Sequence, residues 1–416
     1  MKATSLERGQ ALIIIVFAIV ALVGMTGLAV DGGMAYSDRR NAQNAADTGA
    51  LAAALAYARG RDPVATANTA VLNAGFTNDG VNSTVTVTVQ DLSVGECPDT
   101  AIGKDITVQV RSRVQTYFAP VLGIRQVMNT VRATSRSCDP VVGPLFPGNA
   151  IVALARSGIG FDAAGTPNWR VVNGGIFSNS SDSPSARCKG AADVVAPSIT
   201  TVGGVTLTCS TSVPQITTGS PQYQYSDYKD LLPPIPTCDG IAQKIGAYWV
   251  AQAGADGSRV AFNGDMHFGP GLFCVTNSPG PYHGEILGDG VTFYLVPTNF
   301  SLKFNGGGNL TATAPLPDPQ NPYAGVLMFS APHLVGGVLQ QTQQIDLRGN
   351  GTAAISGSVI VPSANVTMFG NSGGSGFGTQ VIAYHVDSGG NSNIFINYNA
   401  SIGYQTFHPA WLTLLR

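Results

Sequence analysis

The chain has 416 residues and a formal net charge of −2, enough for two or three domains and without the basic excess that nucleic acid would call for. Charged residues make up 11% against about 25% in an average soluble domain, and the only glutamates are Glu7, Glu96 and Glu285. With 51 glycines, and Thr, Ser, Asn and Val common beyond residue 80, this composition argues against a helical cytosolic enzyme and for β structure turned by glycine.

After a short tail (1–10), the run from Ala11 to Val30 carries no charge. About 20 apolar residues span a bilayer as a helix. Lys2 and Arg8 precede the run, and Arg39 and Arg40 follow at a distance. The bias places the N-terminus in the cytoplasm. No clean A-x-A cleavage site follows the run, so it reads as an uncleaved single-pass anchor rather than a secretory signal. Helix formers continue to about residue 59, with Ala45, Ala46, Gly49, Ala50, Ala53 and Ala54 forming a small-residue seam. Ala46, Ala50 and Ala53 are expected to dock against neighbouring helices, and Gly24 and Gly27 allow close packing.

A short helix opens near Pro63. The period then changes to two: "STVTVTVQDL", "DITVQVRSRVQTYF" and "NTVRATSRS" predict three antiparallel strands packed on the Ala-rich helix. This gives an α+β domain over 31–139, with Cys97 and Cys138 placed to close its sheet. "DLSVG" at 91–95 begins like a D-x-S-x-S metal site but ends in Gly95, and reads as a turn beside a strand.

These residues resemble a known family. "ERGQALIIIVFAIVALVGMTGLAVDGGMAYSDRRNAQNAADTGALAAALA", with the later "TYFAPVLGI" and "TVRATSRS", is similar to the N-terminal part of TadG-like proteins of the Tad (Flp) pilus system, over roughly residues 5–137. The resemblance implies a pilin-like domain and a place in a pilus or its assembly platform. Related prepilins carry a glutamate five residues after the processing glycine. With Gly9 as that glycine, a cut before Gln10 would be the processing site, but Ile14 stands at the glutamate's position. A permanent anchor is therefore expected.

"DPVVGPLFPGNA" near residue 140 marks a boundary. Beyond it, Gly-Asn pairs at 308–309, 349–350, 370–371 and 390–391 recur at intervals of about 20 residues or twice that, each followed by a short apolar or alternating stretch. This predicts stacked short strands with Gly/Asn turns, a right-handed parallel β-helix over 140–416. An irregular insertion is expected at about 211–282, including a helix over "GIAQKIGAYWVAQAG". The closing "YQTFHPAWLTLLR" is expected to cap the last coil.

Six cysteines, none in a CxxC pair, all follow the apolar run, which indicates disulfides in an oxidising compartment. Sequential pairs, Cys97–Cys138, Cys188–Cys209 and Cys238–Cys274, keep each bond inside one module. The acidic group nearest to a catalytic or metal constellation is Asp265, Glu285 and Asp289 with His267 and His283. It reads as turn residues, as His333, His385 and His408 read as structural. No H-E-x-x-H or Walker pattern occurs, so no enzyme activity and no cofactor or metal is expected. The expected function is that of a membrane-anchored structural protein of a Tad-type pilus. A surface adhesin binding glycans and a β-helical polysaccharide-active enzyme are the alternatives. Expected partners are the lipid bilayer, pilus or assembly subunits through the N-terminal helix, and a surface glycan, with no nucleic acid.

Overall fold

The computed structural model describes residues 7–93, 95–97, 101–304, 308–318, 320–348, 355–370, 377–389 and 391–415. The chain forms two compact units, residues 1–141 with 408–416, and residues 142–407.

In the first unit, α1 (Glu7–Ala58) is a single helix of 52 residues, roughly 78 Å long at 1.5 Å per residue. Its first half exposes Leu12, Phe17 and Leu28. From Ala42 onward, one face closes completely, with Ala42, Ala46, Ala50 and Ala53 at 0% exposure. α2 (Pro63–Asn73) starts where Asp62 accepts the N–H groups of Val64 and Ala65 at 2.8 and 3.2 Å, which satisfies helix-end donors that would otherwise lack partners. Its buried residues are Ala67 and Val71. A Cβ on Gly49 would come within 2.7 Å of Val71 Cγ2, so glycine there lets α1 and α2 touch. β1 (Ser83–Asp91), β2 (Gly103–Gln115) and β3 (Gln126–Cys138) pair antiparallel in that order. Ile106, Val108, Val110, Val131 and Ala133 meet the alanine face of α1 in one core.

The fourth strand of this sheet is Trp411–Leu415, antiparallel to β3, with Ser135 opposite Leu414 and Cys138 opposite Trp411. The closing segment was expected to cap the last coil; it completes the first unit instead. β3 left an unpaired edge, and Leu412 and Leu414 alternate onto the face already occupied by Val131 and Ala133, which is the condition for setting register.

The second unit is β-rich, and its strands form long parallel ladders. A strand commonly pairs with the third strand after it, so the chain returns to each ladder after about 20 residues. In the first ladder, Phe273, Phe293, Met328, Val359, Val381, Ile151, Ile176 and Ile199 are successive register partners, all with no measurable exposure. Leu302, Ile345, Val366, Val386, Phe161 and Ala186 follow one another in the second. The third passes through Ile394, Trp169 and Val194. Within the ladders the apolar side of each inner strand is covered by its neighbours, whereas the end strand Gln215–Thr217 is exposed.

The order of the ladders differs from the order of the chain. Starting at Asn149, the strands build outward to Gln215–Thr217. The chain then crosses through 218–239 and resumes at the other end of the first ladder with Gly240–Ile241. From there it builds back until Asn393–Asn397 lies beside Asn168–Val172. The entering and leaving strands, Val141–Pro144 and Gln405–His408, pair with each other.

Two expectations for the insertion are corrected. The ladders run through Ser210–Thr217 and again through 240–282, so only about 218–239 is outside them. The expected helix at Gly240–Gly254 is absent: Gln243–Ile245 and Tyr248–Val250 form a hairpin. Gly246 turns it with φ +60°, and Tyr248 and Trp249 pair with His267 and Phe268. Ladder pairing outweighs the helical preference of the Ala/Gln-rich stretch. Of the Gly-Asn pairs, Gly349, Asn350, Asn371 and Gly390 lie outside the described residues.

The crossover covers the outer face of the first ladder. Tyr228 packs there with Phe177, Val152, Ile382, Ile360 and Phe329. Gln222 Nε2 donates to the carbonyls of Arg156 and Asn179, each at 3.0 Å, and Cys238 bonds to Cys274.

Candidate membrane and assembly interface

The residues that set the N-terminal interface lie on one face of α1. Asp31 is 5% exposed, just past the apolar run, and its carboxylate accepts three consecutive N–H groups: Tyr117 at 2.9 Å, Phe118 at 3.0 Å and Ala119 at 2.7 Å. Two turns on, Asp38 accepts from Asn129 Nδ2 at 2.7 Å and from the Ser112 hydroxyl. Asn129 Nδ2 also donates to the Ala35 carbonyl at 2.9 Å. Seven residues separate two positions by nearly two turns of helix, so both carboxylates face the sheet. Asp38 fixes α1 on β2 and β3; Asp31 fixes it on the loop between them. Hydrogen bonds to a carboxylate are the stronger kind, about 1.5–3 kcal/mol each where a neutral one contributes about 1.

That loop is apolar and outward-facing. Tyr117, Phe118, Val121 and Ile124 are 70%, 44%, 91% and 50% exposed. Beside it lies a groove of ≈ 380 Å³ lined by Val20, Val23, Gly24 and Gly27 of α1 and by Phe118 and Val121. A Cβ on Gly27 would stand 2.6 Å from Phe118 Cβ, so Gly27 is what lets the loop approach the helix.

The seam expected to dock neighbouring helices is occupied. Ala46, Ala50 and Ala53 are wholly buried in the first unit's own core, which leaves them no surface to offer a partner. Sequence reasoning read small residues as an intermolecular seam, whereas α2 and the sheet fill it. Sequence reasoning also passed over Asp31 and Asp38. Their signal was an acidic pair seven apart on a face otherwise built from Gly and Ala. Gly9 and Gln10 lie in the first turns of α1.

Three disulfides join Cys97 to Cys138, Cys188 to Cys209, and Cys238 to Cys274. Gly103 lies against the first, where a Cβ would come within 2.5 Å of Cys97 Sγ.

The Asp265 group does not converge. Asp265, His283 and Asp289 are exposed. Asp265 Oδ1 accepts the Glu285 N–H at 2.9 Å, and Asp289 accepts from the Thr313 hydroxyl, both bracing turns between adjacent strands. His267 lies tilted against Tyr248, with ring centroids 6.2 Å apart. Among the described residues, no three His, Cys, Asp or Glu side chains are placed to hold a metal ion. His385 packs edge-on against Tyr384 at 4.7 Å, and burial holds its imidazole below the ordinary pKa. The backbone N–H of His333 donates to Ser363 Oγ at 2.7 Å, and His408 ends the strand Gln405–His408. In "DLSVG", Asp91 pairs with Lys104 at 2.6 Å and Gly95 turns with φ +93°; Val94 lies outside the described residues.

An exposed apolar half-helix that runs directly into a small helix-and-sheet unit defines a membrane-anchored protein. The Tad family, described as "Putative Flp pilus-assembly TadE/G-like", matches residues 9–56, which is α1 almost end to end. The chain thus carries a pilus-associated TadE/G-like segment on its membrane helix. No curated protein and no solved structure matches the chain significantly.

Proposed function

We propose that this protein is a structural component of a Tad-type pilus, anchored by one pass of α1 with residues 1–10 in the cytoplasm. Residues 11–30 span the membrane, and the remainder lies on its outer side, with a right-handed parallel β-helix held out at the cell surface. One observation carries the reading: the TadE/G-like match falls on the helix whose first half is exposed and apolar and whose second half is the spine of a folded unit. The ladders of the second unit support the β-helix, since parallel crossovers of this length are right-handed in nearly all proteins. The function is mechanical. The exposed half of α1 packs among pilus or platform helices, and the β-rich unit is what the anchor displays. Ile14 favours retention of the whole anchor over a cut between Gly9 and Gln10.

The test is a deletion strain scored for pili by electron microscopy, with the protein traced in membrane and sheared-pilus fractions. Loss of pili restored by complementation supports the role. Normal pili in the deletion reject it and favour surface adhesion. Intact mass of the membrane-extracted protein reads the anchor: a mature N-terminus beyond about Val30 removes the span altogether.

A further inference from the structure

The loop between β2 and β3 has a composition that a water-facing loop does not need. From Tyr117 to Ile124 it reads YFAPVLGI, with no charge, between Gln115 and Arg125. Val121 is 91% exposed, more than Phe17 in the middle of the apolar run at 70%.

Its backbone is as unusual as its side chains. The N–H groups of Tyr117, Phe118 and Ala119 go to Asp31. Those of Thr116, Val121, Gly123 and Ile124 go to carbonyls of Arg125, Phe118, Pro120 and Ala119. Pro120 has none to give, and Thr116 Oγ1 donates to the Ile124 carbonyl at 2.6 Å. In water such donors can bond to solvent instead. In hydrocarbon each unsatisfied group is expensive, and only internally paired backbone is tolerated.

The third observation is its level. The groove between the loop and α1 is lined on the helix side from Ile19 to Asp31, of which Ile19 to Leu28, roughly 13 Å of helix, lies within the uncharged run. Wherever α1 sits in the bilayer, the loop that faces Val20 and Val23 across the groove sits at a similar depth. The exposed apolar surfaces of α1 and of the loop therefore flank one groove.

We propose that Tyr117–Ile124 is a second membrane contact, an apolar finger with most of its N–H groups paired inside the protein, inserted beside α1 with Phe118 and Val121 against lipid acyl chains and Arg125 reaching back to the headgroups. Asp31 and Gly27 are its positioning residues: one pins the loop backbone, the other permits its approach. The finger fixes the tilt and height of the first unit on the membrane, which one helix alone leaves free. The inference rests on α1 being a membrane anchor.

All six native cysteines are in disulfides, so one added thiol can carry a polarity-sensitive fluorophore. The full-length protein is labelled singly at Val121→Cys, at Phe17→Cys, and at the exposed turn residue Val81→Cys (62% exposed), then placed in phosphatidylcholine vesicles with brominated acyl chains. Insertion predicts a blue shift and loss of most of the Val121 signal to bromolipid, as at Phe17, with the Val81 label quenched by aqueous iodide only. A Val121 label quenched by iodide and not by bromolipid, with Phe17 still quenched by bromolipid, overturns the finger and leaves the anchor standing. Phe17 escaping bromolipid as well overturns the anchor itself. Shielding of Val121 from both quenchers that grows with protein density assigns the loop to a second copy of the chain and also overturns the proposal. Asp31→Asn should partly expose the Val121 label to iodide while Phe17 stays unchanged.

Discussion

Asn168 donates through Nδ2 to Asn393 Oδ1 at 2.7 Å, across 225 residues of chain, and the two are register partners in parallel strands. Asn173 and Asn397 repeat the contact at 3.0 Å. The end of the second unit is thus stacked on its beginning, and the stack's outer ends are both internal to the chain. Followed by ladder instead of by sequence, the strands read from Gly240 to Asn397 and continue from Asn149 to Thr217.

That order predicts a working circular permutant. A second unit beginning near Asp239 and ending near Gly219, with Asn397 joined to Asn149 through an Asn-Gly link, should fold, because Asn173-Gly174 already makes the equivalent step between tiers. Circular dichroism and a cooperative thermal transition would establish it. A permutant without a cooperative transition would show that the crossover is needed to assemble the stack.

The crossover is held at its end by Cys238–Cys274, which closes a loop with sequence separation 36. Replacing both cysteines by serine should lower stability by about 2–4 kcal/mol and open residues 218–239 first. Limited proteolysis should then cut there before any ladder strand. Unchanged cleavage would mean that Tyr228 and the Gln222 hydrogen bonds hold the segment without help.

Asp346 is 7% exposed, and burial raises its pKa to about 6, with the Phe304 N–H, Lys303 and Arg348 opposing the shift. The unfolded chain, near 3.8, loses this proton first. Stability therefore falls as pH rises from about 4 to about 6, and stays reduced above that. Asp346→Asn should stabilise the protein by about 1–3 kcal/mol near neutral pH and leave it unchanged near pH 4. Paired melting curves at the two pH values check both halves, and an equal effect at each would refute the linkage.

Ala50→Trp should unfold the first unit, not merely block a partner. The site is wholly buried, and the strain should reach or exceed the ~1–3 kcal/mol usual for overpacking. Leu51→Trp, at a position 42% exposed, should fold normally. Comparable melting of the two variants would restore the small-residue seam as a docking surface.

Much of this architecture was legible in residue order. Charge absence marked the anchor, alternation marked β1 to β3, and a period near 20 marked the repeating strands. Those signals are local, since each depends on neighbours within one or two turns or tiers. The Asp265 group, although close in sequence, does not converge, because Asp265 and Asp289 lie in separate turns and each is engaged by the neighbouring tier.

The sequence by itself marked the long apolar helix and the strands β1 to β3, because periodicity and charge are written in consecutive residues, but it misread Gly240–Gly254 as helix where ladder pairing makes a hairpin. Only the tertiary structure decided which edges meet. Trp411–Leu415 joins β3 and not a coil, Asn393 stacks on Asn168, and Asp31 finds the loop at Tyr117. Each choice depends on an unpaired strand edge or unsatisfied N–H group left by distant segments, and such a need exists only after those segments have folded.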